Sequence, residues 1–260
     1  MTTPPPPLDD RPWAPDDRRH DAGDPDQAFR VPFGMLDGFG LMVWSLVAIV
    51  LVSAVAATVG IDFDDDEVVL GLTIAIQAVV IAGALLWLRL RGALTWRLLG
   101  PVRPRWRHLA IGLGIGAVGL VLFLAVATIV NDVFGPFPDP DQSLLATTES
   151  GVLATVLLVV GSVIGAPLSE ELIFRSVVFQ STRMRFGVVA GLVVSSLLWA
   201  YVHTTAFGAP QALIGLVALG LWFAGAFHRT GTLVVPLIAH ATYNALVVTL
   251  QLLAPPTPPT

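Results

Sequence analysis

Long apolar stretches alternate with short polar connections along this 260-residue chain. Runs without charge lie at roughly 39–60, 68–88, 109–131, 152–168, 187–203, 211–227 and 231–253. Each can cross a hydrocarbon core of ~30 Å at a rise of ~1.5 Å per residue. The pattern predicts an all-α fold, a polytopic membrane helix bundle of about seven transmembrane helices. The fourth run is expected to continue past its apolar part, because no turn signal precedes Ser181 and Thr182. The charged residues at 170–175 then fall inside a long helix. Gly208, Ala209 and Pro210 punctuate the chain between the fifth and sixth runs. No repeat of fixed period is visible.

The two ends read differently. Residues 1–36 gather Pro4 to Pro7, Pro12, Pro15 and Pro25 with seven Asp and four Arg, too little apolar surface to offset the entropy of ordering. A disordered tail is expected there, and it lacks the basic region and apolar core of a secretory signal. A second, shorter tail is expected at 254–260, where Pro and Thr dominate. Between the tails the chain divides into a first set of three helices, 37–135, and a second set of four, 150–253. Arginine placement orients them. Arg89, Arg91, Arg97, Arg103, Arg105 and Arg107 surround the second-to-third connection, Arg183 and Arg185 mark the fourth-to-fifth, and Arg229 the sixth-to-seventh. The alternate connections carry Asp62, Asp64, Asp65, Asp66 and Glu67, then Asp132, Asp139, Asp141 and Glu149. The positive-inside rule makes this a multi-pass protein of the cell (plasma) membrane with a cytoplasmic N-terminus, its lipid bilayer the first partner.

Composition excludes other classes. At 55% hydrophobic and 13% charged, with a mean hydropathy of +0.77, the chain cannot cover a soluble globule with charge. Its net charge of -5 and lack of a basic stripe exclude nucleic acid as a partner. Without cysteine there is no disulfide, no thiolate nucleophile and no sulfur-ligated metal.

Four of the helices offer only packing, and the others concentrate polar groups. Glu170, Glu171 and Arg175 lie in the fourth, His203 ends the fifth, and His240 and Asn244 lie in the seventh. A charge at bilayer depth costs ~2.5–3.5 kcal/mol on insertion scales, so these groups must pair internally or do chemistry. Glu171 and Arg175 are four apart and share a helix face, whereas Glu170 is turned about 100° away. His240 and Asn244 share a face by the same spacing, as do Trp199 and His203. Pro167 removes a backbone donor three residues before Glu170 and is expected to bend the helix there. Carboxylate, imidazole and amide together suit peptide hydrolysis, which needs a base for water and donors for an oxyanion. Either a metal lowers the water's pKa or an acid–histidine pair polarises it directly, and spacing alone leaves both open. Ser195 and Ser196 lack the setting of a serine nucleophile.

The run Glu170-Glu171-Leu-Ile-Phe-Arg175 resembles the EExxxR motif of the CPBP family of intramembrane proteases, the CAAX prenyl protease type 2 and bacteriocin-processing ("Abi") enzymes. Trp199-Ala-Tyr-Val-His203 resembles its FxxxH motif, with Trp for Phe, and His240-Ala-Thr-Tyr-Asn244 its HxxxN motif. The likeness covers about 150–250, with the three motifs in order on separate helices. It implies a CAAX-protease-like catalytic core and an intramembrane endopeptidase, of glutamate or metallo type, acting on a membrane-associated protein or peptide. In eukaryotic relatives such enzymes remove the last three residues of prenylated CAAX proteins. Carried over, Glu170 and His203 activate the water, and His240 and Asn244 stabilise the oxyanion. Glu171 and Arg175 pair structurally and Trp199 supports the site. No cofactor is required in that reading; in the metal reading zinc takes Glu170, His203 and His240.

Plainer roles compete. Glu171–Arg175 reads first as a buried ion pair, His240–Asn244 as polar glue between helices, and His20, His108 and His228 as solvated. Gly112, Gly114, Gly116 and Gly119 read as close-packing positions. The other function classes are a proton-coupled transporter using the same acid–histidine cluster as a relay, and an inactive membrane scaffold. A transporter predicts repeats that this sequence lacks.

Depth raises a difficulty. Counted at ~1.5 Å per residue from the cytoplasmic helix ends, Glu170, His203 and His240 fall at about 20, 25 and 14 Å. Helix tilt and the bend at Pro167 must reconcile them.

Overall fold

The computed structural model describes residues 31–63, 65–92, 99–100, 102–135, 151–203 and 210–253, the backbone alone at 210 and 211. The described chain contains helices and short connections and no strand. Helix α1 is Met35–Thr58, α2 is Asp66–Leu90 and α3 is Trp106–Phe134. A 51-residue helical run, Val152–Val202, follows. Gly187 breaks it, with φ 86° and ψ 171°, a conformation open essentially to glycine alone. The run therefore comprises α4, residues 152–186, and α5, residues 188–202. Helix α6 is Pro210–Thr230 and α7 is Val234–Leu253. Six helical runs are long and apolar enough to span a membrane, and the bend at Gly187 turns them into the seven segments expected. The protein is a multi-pass, all-helical membrane protein.

The tail expected at 1–36 lies outside the described residues up to 30, as do 254–260, Gly208, Ala209 and Arg97. Ordered chain begins ahead of residue 37, since Phe33 is buried and α1 starts at Met35. Asp37 holds that entry. Its carboxylate accepts from the Gly34 amide (2.8 Å) and the Trp87 indole (3.0 Å), and pairs with Arg91 (2.9 Å).

The surface is apolar, and the hydrophobic interior holds a set of buried polar groups. Leu36, Val50 and Val121 are exposed, while Glu171, Arg175, Ser176 and Gln180 are wholly buried. Close packing sets the positions of the helices. Helix α3 lies against α6 and α7. A Cβ at Gly112 would stand 2.7 Å from Ile238, and one at Gly116 would stand 2.4 Å from the carbonyl oxygen of Ala239. These glycines therefore serve close packing, as expected, and they seat the stretch of α7 that carries His240. Gly114 meets nothing within 4 Å. His108 corrects its expectation: it is buried, and its Nδ1 accepts the Arg105 amide (2.9 Å) at the start of α3.

Helix α4 is not uniform. It is α-helical over Val152–Val159, widens to a π-helix over Val160–Gly165, tightens over Ala166–Glu170 and widens again over Glu171–Phe179. A π-turn takes in one more residue than an α-turn and so shortens the helix. Such turns concentrate at functional sites. The side chains of His203 and His240 both reach Glu170, at 3.8 and 3.9 Å, whatever depths ideal helices would give.

Candidate active site

Glu170, the last residue of the tight α-helical turn in α4, directs its carboxylate at two imidazoles. Its Oε2 stands 3.8 Å from His203 Nε2 and 3.9 Å from His240 Nε2. The Trp199 indole N–H donates a short hydrogen bond to the same oxygen. The centre is therefore assembled from α4, α5 and α7. Glu170 and His203 keep side-chain exposures of 21% and 29%, while His240 keeps 3%, so the cluster opens on the Glu170–His203 side.

Each imidazole is oriented from behind. His203 Nδ1 lies 2.8 Å from the Trp199 carbonyl oxygen, which can only accept, so that nitrogen carries the proton and Nε2 presents a lone pair. His240 Nδ1 lies 3.0 Å from Glu171 Oε1. The same oxygen is 3.1 Å from Arg175 NH1, and both of those side chains are wholly buried. The expected pair of Glu171 with Arg175 is present, and it holds His240 as well. Where spacing pairs Glu171 with Arg175, the structure puts His240 on the same carboxylate oxygen. The widened turn over Glu171–Phe179 points Glu171 inward, toward α7.

Trp199 joins these parts. It is 1% exposed, its ring meets His203 and His240 edge to face at 4.8 and 5.5 Å, and the Arg175 guanidinium stands over it at 4.9 Å. A phenylalanine could fill the space but could not donate to Glu170. The motif departure thus adds a hydrogen bond, a consequence the sequence reading did not draw.

Asn244 is placed differently. Its Nδ2 donates to the carbonyl of Ser162 at 2.7 Å, about two helical turns before Glu170. A primary amide has a second N–H. Ser195 and Ser196 are buried, and both hydroxyls are spent on the Leu192 carbonyl, at 3.4 and 2.7 Å. Gln77 of α2 is the polar group that sequence reasoning missed: its Nε2 donates to the Gly161 carbonyl at 3.2 Å. The available signal was an isolated amide in an otherwise apolar span, a group that is costly to leave facing lipid.

Glu170, His203 and His240 are ligand types that zinc accepts, and imidazoles held through Nδ1 are typical of metal sites. Among the described residues, however, no trio of His, Asp and Glu stands at a spacing that would hold a metal ion. A separation of 3.8–3.9 Å is one across which a water can bridge.

Comparison with known proteins bears on the same helices. The protein described as "Putative membrane peptidase YdiL", from Bacillus subtilis (strain 168), is 31% identical over 97 residues, 37% of this chain and 38% of that protein. The chain thus spans less than two fifths of that relative's length. No solved structure gives a significant match. Residues 152–246 match the family described as Type II CAAX prenyl endopeptidase Rce1-like. That stretch, which runs through α4 to α6 and into α7, holds Glu170, Glu171, Arg175, Trp199, His203, His240 and Asn244, so the likeness to the Rce1-like family covers the helices that assemble the site.

Proposed function

We propose that this chain is an intramembrane endopeptidase that hydrolyses a peptide bond in a membrane-associated protein or peptide, of the CAAX-processing or bacteriocin-processing kind. The approach of Glu170 Oε2 to within 3.8 and 3.9 Å of the two Nε2 atoms carries this reading. In the proposed reaction a water sits between Glu170 and His203, giving one proton to the carboxylate and a hydrogen bond to the His203 lone pair. Its oxygen attacks the scissile carbonyl carbon. The resulting oxyanion faces His240, which in this reaction is an imidazolium throughout, its Nδ1–H on Glu171 and its Nε2–H on the oxyanion, and the second N–H of Asn244. Glu170 then passes its proton to the amide nitrogen as the C–N bond breaks, leaving a new carboxyl and a new amino terminus. Glu170 alone carries the transferred proton, from the water to the leaving nitrogen, and the mechanism runs without a metal.

The test is hydrolysis of internally quenched, membrane-anchored peptides by the purified protein in liposomes, against Glu170→Ala, with metal content measured on the same sample. Cleavage is expected in the parent alone, without stoichiometric zinc and insensitive to chelator. Activity that a chelator removes and zinc restores would replace the metal-free mechanism and keep the peptidase.

A further inference from the structure

Pro167 leaves a gap in the backbone of α4, and two side chains from other helices close in on it. Within the first π-helical stretch the Ala166 amide reaches back five residues to the Gly161 carbonyl. The next bond of that ladder would run from residue 167 to Ser162, but proline has no N–H to give. Ser162 is thus left with a carbonyl that an apolar interior penalises unless something donates to it. Asn244, from α7, does so at 2.7 Å, and Gln77, from α2, donates to the adjacent Gly161 carbonyl at 3.2 Å. The notch is cut for Gln77: a Cβ at Gly165 would fall 1.8 Å from its Oε1. That oxygen is buried and accepts from no hydrogen-bond donor among the described residues.

We propose that Gln77 is a positioning residue which, with Asn244 on the opposite side, clamps the carbonyls of Gly161 and Ser162 and so fixes where α4 presents Glu170. The bulge ends at Gly165, five residues before Glu170, and the short α-helical turn between them transmits its position. Gln77 lies outside 152–246, the stretch with family likeness, so the first helices contribute to the site as well as to anchoring. This rests on the proposed role of Glu170, yet it has a readout that needs no peptidase activity.

The Trp199 indole N–H donates to Glu170 and reports the carboxylate's position directly. The Trp222 indole donates to the Ile115 carbonyl between α6 and α3 and serves as internal control. Nitrogen-15 spectra of indole-labelled protein in detergent are recorded for the parent, Gln77→Met, Gln77→Glu and Asn244→Ala, with Trp199→Phe to assign the peak. Both Gln77 variants keep length, and ionised Glu lacks the donor. The Trp199 resonance is expected to shift in all three while the Trp222 resonance stays. Adding Pro167→Ala to Asn244→Ala restores a backbone donor near Ser162 and is expected to return the Trp199 peak toward the parent position. An unmoved Trp199 peak in folded Gln77 variants overturns the proposal, and so does equal movement of both peaks, which marks general loosening. Failure of Pro167→Ala to restore the peak removes Asn244 from the clamp. Loss of peptidase activity in the parent would instead sink the reading of Glu170 and leave these shifts intact.

Discussion

One peptide bond separates Glu170 from Glu171, and the turn between them gives the two carboxylates different tasks. Glu170 keeps 21% of its side chain open and meets two Nε2 atoms, while Glu171 is wholly buried between Arg175 and His240. Glu170→Gln is therefore expected to abolish turnover with little change in stability, since no buried charge loses its partner. Glu171→Gln is expected to destabilise the fold by ~3–5 kcal/mol, because Arg175 stays buried without its counter-charge. Thermal unfolding in detergent beside peptidase assays separates the two, and the reverse pattern would exchange their roles. Trp199→Phe keeps the ring but deletes the N–H to Glu170. A hydrogen bond to a charged group is worth ~1.5–3 kcal/mol, so kcat is expected to fall by about 10- to 100-fold, and the midpoint of unfolding is expected to fall too because the buried indole is replaced by a smaller ring.

At the scale of helices, α3 has no catalytic side chain and yet decides where His240 stands. The Cβ of Gly116→Ala would lie 2.4 Å from the Ala239 carbonyl, so α7 must retreat beside the histidine. Overpacking of this kind costs ~1–3 kcal/mol, and activity is expected to drop further than the loss of stability explains. Gly114→Ala, with nothing within 4 Å, is the matched control. The helices themselves were legible, because a span without charge records the thickness of the bilayer directly. The candidate residues were legible too, since buried ionisable groups are rare enough in such spans to stand out. What spacing could not reveal was long-range: Glu171 and His240 are 69 residues apart, and their contact depends on how α3 seats α7. Nor does a period of 3.6 residues foretell π-turns, of which the first, over Val160–Gly165, borders Pro167 and receives donors from other helices. His108 was misread for a related reason, as its loop position suggested solvent although it caps α3 from a buried site.

At the scale of the whole molecule, the arginine-bearing connections come together at one end of the bundle. The Leu99 carbonyl accepts from Leu233 and the Gly231 carbonyl from Val102, joining the connection before α3 to the one before α7. The Val31 amide donates to the Met184 sulfur, which brings the entry to α1 to the α4–α5 bend. The positive-inside rule expects this end to be cytoplasmic, and single cysteines placed in this cysteine-free chain test that expectation. Asp62→Cys is expected to react with an impermeant reagent in intact cells and Arg103→Cys only after permeabilisation; the opposite labelling would invert the protein. The measurement closest to the central idea follows oxygen. Purified protein in liposomes is given a library of membrane-anchored peptides in water enriched in oxygen-18, and products are read by mass spectrometry. The parent is expected to yield new C-termini carrying one heavy oxygen, and Glu170→Gln none. Cleavage by Glu170→Gln at the parent rate, or products without the label, would contradict a Glu170-activated water as the nucleophile.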